Sequence, residues 1–280
     1  EKVEIIRGIT FELTEEGRIL KEASEAFKGA YVIPMDTVRI ESEAFMNCTG
    51  LTEIELPSGS NICLGDRCFK GCAALENVQL YGGIPQWGEE AFMDCTSLQK
   101  LDIGGGRQEQ IPRIGTRAFK GCTGLAGRDK VTFRAVLSVL GEECFAECVN
   151  LEAIPMSENA RTSIEIIEDR AFEGCRSLSQ FLTSAYTGIK TIGVCAFSNC
   201  DSLVNPSIPA SVTCVGDGAF SECGNLKTVS FYCVLEEYPK DCFKNCPKLT
   251  RTGGVADALA GLRRIGESAY EGCISLTTNN

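Results

Sequence analysis

Apolar and polar positions alternate over short stretches of the chain, and these stretches return at a nearly constant interval. Leu51, Ile54 and Leu56 are separated by polar residues, and a similar spacing returns at 98–103 and 226–231. Alternation with a period of two is typical of a strand that buries one face. The pattern therefore predicts a series of short, half-buried strands.

A fixed signature precedes most of these strands: an aromatic residue, a Cys three positions later and a Leu three positions after that. From Phe45 onward the aromatics are 23 to 27 residues apart. The ten full copies are led by Phe45, Phe69, Phe92, Phe119, Phe145, Phe172, Phe197, Phe220, Phe243 and Tyr270. A degenerate copy, Ala26-Phe27-x-x-Ala30, comes first. Repeats of this length indicate a solenoid in which neighbouring units bury one another's apolar faces.

A second conserved spacing lies just before the aromatic residue. An Ile, Val or Leu is followed by Gly, as in Ile114-Gly115, and an acidic residue such as Asp66 or Glu89 often comes next. A carboxylate is stabilised near the first backbone N–H groups of a helix, which have no partner within the helix. We therefore expect a short helical turn here, with the aromatic and the Cys on one face.

The combined pattern Ile-Gly-x-x-Ala-Phe-x-x-Cys-x-x-Leu-x-x-Ile-x-Leu-Pro closely resembles the BspA-like leucine-rich repeat family over residues 19–276. The resemblance implies an α/β repeat solenoid, right-handed and curved, with a parallel β-sheet on one face and short helical turns or strands on the other. Residues 1–280 are expected to form one such domain of about eleven repeats, the degenerate first repeat acting as a cap. The sequence departs from the pattern in insertions at 104–113, 127–130, 155–163 and 253–261.

Composition narrows the classes of function. The 280 residues carry a formal net charge of −11 and contain no histidine. Such a chain should repel nucleic acid and anionic lipid, and no apolar run is long enough to enter a membrane. The absence of His removes the commonest general base and metal ligand. The chain begins Glu1, Lys2, Val3, Glu4, which does not resemble a signal peptide, so any signal or anchor is expected to lie outside these residues.

Cysteine is the most abundant candidate for chemistry, with 17 copies. Ten occupy the repeat position, and we call them the ladder cysteines: Cys48, Cys72, Cys95, Cys122, Cys148, Cys175, Cys200, Cys223, Cys246 and Cys273. Copies related by translation point their Cβ atoms in parallel, so we expect free, buried thiols and not disulfides. The Cys-x-x-x-Cys pairs at 68/72, 144/148 and 242/246 leave a metal site as the alternative.

Other motifs favour structural roles. The adjacent acids Glu89-Glu90, Glu142-Glu143 and Glu236-Glu237 could be compared with the carboxylate pair of a glycosidase, but their recurrence in different repeats favours a solvated edge. Gly104-Gly105-Gly106 lacks the Lys-Ser/Thr of a phosphate-binding loop. No cofactor is expected, and the resembling family defines no catalytic residues.

The outward side chains of the predicted strands form the leading candidate for binding, and we call them the strand face. They are Glu53, Glu55, Asn77, Gln79, Lys100, Asp102, Gln180, Thr228 and Arg251. A solenoid presents such residues as an extended row, although this row is poor in the aromatic residues that favour binding hot spots. A merely solvated sheet face is the alternative. Tyr81, Trp87 and the insertions form a competing candidate surface, with Trp87 expected to be exposed.

Three classes of function remain. The resemblance implies an extracellular or cell-surface adhesion module without catalytic activity, which binds a protein or glycan ligand on a host or neighbouring cell. An intracellular scaffold that assembles signalling partners is the alternative, because many free thiols fit a reducing compartment. An enzyme would require an acid/base pair that the sequence does not present.

Overall fold

The computed structural model describes residues 2–105, 111–254 and 261–277, and in it the chain winds into a β-solenoid of about ten turns. The strands are Lys2–Ile6 (β1), Ile9–Leu13 (β2), Arg18–Ala23 (β3), Gly29–Val32 (β4), Thr37–Ile40 (β5), Leu51–Leu56 (β6), Cys63–Leu64 (β7), Asn77–Leu80 (β8), Lys100–Ile103 (β9), Arg113–Ile114 (β10), Val131–Phe133 (β11), Val139–Leu140 (β12), Ile166–Ile167 (β13), Thr191–Ile192 (β14), Ser207–Ile208 (β15), Cys214–Val215 (β16), Thr228–Phe231 (β17), Glu237–Tyr238 (β18), Arg251–Gly254 (β19) and Arg264–Ile265 (β20).

The longer strands lie on one side of the solenoid and pair in parallel. A five-stranded sheet has the order β11-β9-β8-β6-β4, and a three-stranded sheet has the order β15-β17-β19. Between them the pairing is reduced to isolated bridges, such as Ala153 with Gln180. The inward residues of each strand, for example Ile54 and Leu56 in β6, are fully buried. The alternating pattern is therefore confirmed, but the ladder of strands is interrupted in its middle.

Shorter strands form a second set of parallel ladders. Their orders are β10-β12-β13-β14-β16 and β18-β20, while β5 and β7 extend the N-terminal sheet. The glycine that follows most of them is required by space: a Cβ on Gly88 would lie 2.3 Å from the carbonyl carbon of Gly65. Adjacent backbones approach too closely here for a side chain between them.

An antiparallel cap, which the repeat signature does not predict, covers the first turn. Strands β1, β2 and β3 form an antiparallel meander, and β3 then pairs in parallel with β5. The ring of Phe27 meets Phe45 edge-on, with 6.3 Å between centroids and planes at 86°. The guanidinium of Arg7 lies 5.6 Å from the centroid of Phe27. The degenerate first copy thus closes the stack instead of continuing it.

The expected helical turn around each aromatic residue is wrong. In all ten copies the residues two before and two after the aromatic have positive φ, as Glu43 (64°) and Asn47 (57°) do around Phe45. A right-handed helix cannot continue through a left-handed residue, so the segment is a succession of tight turns. Among the described residues the one helix is Glu158–Ser163 (α1), which lies in the 155–163 insertion.

These turns, which we call the turn column, are hydrogen-bonded between rungs as regularly as the strands are. The Phe45 N–H donates to the Cys68 carbonyl at 2.7 Å, and the Phe69 N–H donates to the Ala91 carbonyl at the same distance. The residues two before and two after each Phe donate in the same direction. The acidic residue that follows the glycine joins this pattern, because Asp66 accepts the N–H of Glu89 at 2.8 Å. Its role is therefore inter-rung bonding, in place of the expected helix capping.

The Phe side chains form one continuous stack, as predicted. All nine from Phe45 to Phe243 are at most 1% exposed. Their centroids are 4.8 to 6.1 Å apart, with interplanar angles of 4° to 17°. Parallel stacked rings at this separation are attractive beyond the area that they bury. Tyr270 continues the stack in the last turn, 5.4 Å from Phe243.

Truncation of a central ring tests the importance of the stack. We expect Phe145→Ala to lower the free energy of unfolding by about 3–5 kcal/mol, because a cavity opens between two rungs that hydrogen bonds hold in place. Urea titration followed by circular dichroism measures the loss. The matched control, Tyr232→Ala, removes an aromatic side chain that is 44% exposed and should change stability by no more than about 0.5 kcal/mol. Equal losses in the two variants would contradict the stacked core.

Two glycines in the turn column allow the effect of backbone strain to be distinguished from that of steric crowding when each is replaced by a larger residue. Gly121 and Gly174 both have φ of 73° and both follow their Phe by two residues. A Cβ on Gly121 would lie 2.4 Å from the carboxylate Oδ1 of Asp94, whereas a Cβ on Gly174 would meet nothing closer than 3.7 Å. The two positions therefore share the left-handed conformation but differ in the space available.

We expect Gly174→Ala to destabilise the protein by about 1–2 kcal/mol, from left-handed strain alone. Gly121→Ala should destabilise it further, because strain and the clash with Asp94 both act. Adding Asp94→Gly should bring Gly121→Ala back towards the loss seen for Gly174→Ala. Thermal unfolding of the variants gives the comparison, and identical losses at the two glycines would show that crowding between rungs is unimportant.

Candidate functional site

The first three strands of the strand face bring six of its nine predicted residues together. The register pairs Glu53 with Asn77 and Asn77 with Lys100, so these side chains form one row across β6, β8 and β9. The Asn77 amide donates to the Glu53 carboxylate at 3.0 Å. Glu53 and Lys100 are exposed and Asn77 is partly exposed. This row is the most regular outward surface that the prediction identified.

The neighbouring row departs from the prediction at Asp102. Glu55, Gln79 and Asp102 are in register, and Thr132 follows Asp102 in β11. Asp102 was expected to face solvent, but it is only 4% exposed. Its carboxylate lies 3.3 Å from the Lys100 ammonium. Asp102 therefore supports Lys100 and is not itself available for contact.

The remaining three predicted residues lie apart from this patch. Gln180 is exposed and pairs only through the isolated bridge with Ala153. Thr228 and Arg251 are partners in the second sheet, between β17 and β19. Because the ladder is interrupted between the two sheets, the nine residues form separate groups and not one continuous stripe.

The competing surface around Trp87 is more structural than predicted. Trp87 was expected to be exposed, but it is half-buried and packs edge-on against Phe92 and Phe119, with centroids 6.4 and 6.0 Å away. Its indole N–H is buried without a hydrogen-bond partner among the described residues. The ring thus fills space beside the Phe stack. Of the 104–113 insertion, residues 106–110 lie outside the described residues.

Sequence reasoning missed a cleft at the interruption of the strand ladder, which we call the insertion cleft. It has a volume of about 390 Å³, and the residues that form it lie on the 155–163 insertion and the adjoining rungs. Its main lining residues are Arg128, Met156, Arg161, Gln180, Phe181 and Tyr186. The available signal was the loss of strand alternation after Leu178, next to an insertion that the repeat does not explain.

Glu89, Glu90 and Glu143 lie in an ion-pair network along the turn column, whereas Glu237 pairs with Arg264 between β18 and β20. Glu90 is 2.6 Å from the Lys70 ammonium and 3.2 Å from the Arg117 guanidinium, and Glu143 pairs with Lys120. The hydrogen bond from Lys70 lowers the pKa of Glu90. A general acid requires a raised pKa, so Glu90 has the opposite electrostatic environment.

The ladder cysteines are free thiols with a specific hydrogen bond. All 17 cysteines are unpaired, nine of the ten ladder cysteines are buried, and Cys273 in the last turn is half-buried. From Cys72 onward each ladder thiol donates to the carbonyl of the Phe in the preceding rung, at 3.0 to 3.3 Å. Cys175, for example, donates to Phe145. The repeat position therefore selects a small side chain that is also a donor.

Burial also lowers the chemical reactivity of the ladder thiols in the middle of the stack. It raises the pKa of Cys95, Cys122 and Cys175, and the thiolate is the reactive form. Among the described residues, no group of three or more Cys, Asp or Glu side chains is arranged to hold a metal ion. Nor does the described part of the chain include a helix long and apolar enough to span a membrane.

Comparison with known proteins places this geometry among bacterial repeat proteins. A family model described as a BspA type leucine rich repeat region matches residues 27–152, 106–175 and 140–277. A leucine-rich repeat protein from Bacteroides ovatus has 22% identity over 98% of this chain and 81% of its own, with a TM-score of 0.59. One from Eubacterium ventriosum has 16% identity over 99% and 90%, with a TM-score of 0.53. At these identities the likeness shows the fold. No curated protein gives a significant match.

The raised thiol pKa values predict a steep loss of stability at alkaline pH. An unfolded thiol ionises near pH 8.5, whereas burial holds Cys95, Cys122 and Cys175 protonated in the folded state. The stability is therefore fully present below about pH 8.5 and lost above it, by up to about 1.4 kcal/mol per pH unit for each thiol. Urea midpoints measured under reductant from about pH 7 to pH 10 should fall steeply only above about pH 8.5.

A matched variant separates the thiols from other groups that titrate at high pH. The double change Cys148→Ala and Cys175→Ala should lower stability at neutral pH, because two hydrogen bonds to Phe carbonyls are lost. It should also make the alkaline slope shallower, by up to about 2.8 kcal/mol per pH unit. An unchanged slope would mean that the ladder thiols do not control the pH dependence.

Proposed function

The chain belongs to the BspA-type leucine-rich repeat family, and on that premise we propose that it is a non-catalytic module that binds protein ligands at a bacterial cell surface or after secretion. The row Glu53–Asn77–Lys100 is the observation that carries this proposal. Three polar side chains stand in register on adjacent strands, each fixed by backbone pairing to its neighbours. Such a row can vary in sequence without disturbing the Phe stack beneath it.

The chemistry of the row suits recognition of a polar, charged surface. Glu53 and Lys100 place opposite charges two strands apart, roughly 10 Å at parallel-strand spacing. Charges at this separation favour a partner with the complementary arrangement and tune the rate of encounter more than the final affinity. Because the strands beneath are rigid, little conformational entropy is lost when a partner binds.

An intracellular scaffold is the second candidate, favoured by the 17 free thiols. The burial of most of these thiols reduces the weight of that observation, since inaccessible thiols also resist oxidation outside the cell. Cys214 is the one exposed cysteine. Limited proteolysis of intact source cells distinguishes the two candidates: loss of the protein supports surface display, and full protection supports the scaffold.

Binding to purified matrix proteins tests the proposed function directly. Immobilised chain is exposed to a panel of host extracellular-matrix proteins and, separately, to a panel of surface glycans, with biolayer interferometry as the readout. We expect binding to at least one protein. The variant Glu53→Ala/Asn77→Ala/Lys100→Ala should weaken that binding about tenfold or more, through lost charge complementarity.

The control variant, Arg176→Ala/Lys248→Ala, changes exposed side chains that lie before the strands and outside the row. It should bind like the wild type, and thermal unfolding should show that both variants remain folded. Wild-type binding by the triple variant would contradict the assignment to the row. Binding to glycans alone, or to nothing in either panel, would contradict the proposed function.

A further inference from the structure

The insertion cleft differs from the rest of the strand side because the backbone itself is irregular there. Leu182 has a φ of 33° although it is only 1% exposed. A buried Leu in this conformation is strained and persists only where the surrounding structure imposes it. Leu182 lies two residues after the bridge residue Gln180 and directly after Phe181, so the strain coincides with the interruption of the ladder. Strained backbone of this kind is commonly found at functional sites, which makes the insertion cleft a candidate for binding.

The floor of the cleft is apolar and nearly closed. Phe181 and Tyr186 pack with centroids 5.0 Å apart and planes at 36°, and they are only 3% and 5% exposed. Met156 is half-buried, and Pro155 is exposed at the rim. A flexible thioether adapts to the shape of an apolar side chain. Neither aromatic ring offers an open face on which a sugar could stack.

One wall of the cleft presents a cation on a fixed support. Arg161 is on α1, and α1 is attached to the neighbouring rung at both ends. The Ser157 N–H donates to the Phe133 carbonyl at 2.9 Å, and the Leu137 N–H donates to the Ser163 hydroxyl at 3.0 Å. The side chain of Arg161 therefore starts from a position that does not depend on a free loop.

Arg161 also has no carboxylate partner, whereas most of the other Lys and Arg side chains that the structure describes have one. Arg128, which also lines the cleft, is 3.3 Å from the carboxylate of Glu152. Arg161 has no carboxylate partner among the described residues, although the chain carries 38 acidic side chains against 27 basic ones. A guanidinium beside an apolar floor is suited to a carboxylate that adjoins an apolar group.

We propose that the insertion cleft binds an acidic peptide segment of a protein partner, with an Asp or Glu carboxylate at Arg161 and the neighbouring apolar side chain against Met156 and Pro155. The proposal rests on the proposed protein-binding function and deepens it by naming the chemistry of the partner. A peptide is favoured over a sialylated glycan, which would supply the same carboxylate, because the rings of the floor are covered and the accessible apolar atoms suit a side chain.

Methionine methyl signals allow the cleft to be tested without the natural partner. The chain has four methionines, Met35, Met46, Met93 and Met156, and only Met156 lines the cleft. The protein is labelled with ¹³C in the Met methyl groups, and the Met156 signal is assigned by its loss in Met156→Leu. The probes are a short acetylated peptide that alternates Leu and Asp, the same peptide with Asn in place of Asp, and sialyllactose.

The Leu-Asp peptide should shift the Met156 signal in a saturable way and leave the signal of Met93 unchanged. The Asn peptide should bind about tenfold more weakly or worse, because the charge-assisted hydrogen bond is lost. Arg161→Gln should weaken the Leu-Asp peptide by a similar factor. The matched control Arg176→Gln, which removes an exposed arginine outside the cleft, should have no effect.

Each alternative result overturns the proposal. No shift of Met156 would show that the cleft does not bind this chemistry, and equal binding of the Asn peptide or of Arg161→Gln would show that the carboxylate is not recognised. A shift by sialyllactose but not by the peptide would identify a glycan site. Failure here is distinguishable from failure of the proposed function, since matrix-protein binding through Glu53, Asn77 and Lys100 is measured separately and can persist.

Discussion

The distance between consecutive rungs is the constraint on which the rest of this protein depends. Parallel strands hydrogen-bond at a spacing of about 4.8 Å, and the turn column is bonded between rungs in the same way, as from Phe145 N–H to the Ala171 carbonyl. Every repeat position is therefore stacked on its own copy at nearly this distance. A residue type is therefore acceptable at a repeat position only if its copies can pack against each other at the rung spacing. Stacked Phe rings do so, and the shortest centroid separation, 4.8 Å between Phe69 and Phe92, nearly equals the strand spacing.

Where copies of the same side chain would repel or clash at the rung spacing, the residue type alternates from rung to rung. The residue two before the aromatic changes sign in each successive copy from Glu43 to Arg170, in the order Glu43, Arg67, Glu90, Arg117, Glu143, Arg170. Two like charges at rung spacing would repel, whereas Arg67 lies 3.0 Å from Glu43. Over the same copies, from Asn47 to Gly174, the residue two after the aromatic alternates in size. The Asn47 side chain, for example, occupies the space that a Cβ on Gly71 would need. Exposed ion pairs add little individually, so the alternation matters chiefly because it avoids repulsion.

The same constraint explains which features could be predicted from the sequence. The Phe stack and the ladder cysteines were predictable, because a column that repeats in space must repeat in the sequence. The turn conformation was not, since a spacing of three between Phe45 and Cys48 fits a helix and a tight turn equally. Its left-handed positions are often held by Glu or Arg, which carry no obvious signal for positive φ. Asp102 was misjudged because outward alternation on a strand does not give the burial of a side chain. Trp87 was misjudged because a position outside the repeat consensus does not show what the ring packs against.

Regular rungs also limit where concave sites can form. Consecutive copies at hydrogen-bonding distance leave no gap between them, so a uniform part of the ladder, such as β6, β8 and β9, presents a row and not a deep pocket. A cleft can form only where the regular stacking of rungs is interrupted. The 155–163 insertion and the strained Leu182 lie at such an interruption. The broken segment keeps its support, because α1 is bonded to the adjoining rung and Phe181 packs against the Phe stack, 4.8 Å from Phe172. The regular repeats thus make the solenoid rigid, and the departures from the repeat create its concave surfaces. In a protein built this way, a residue that departs from the repeat while remaining ordered and buried, as Leu182 does, is more informative about selectivity than one that obeys it.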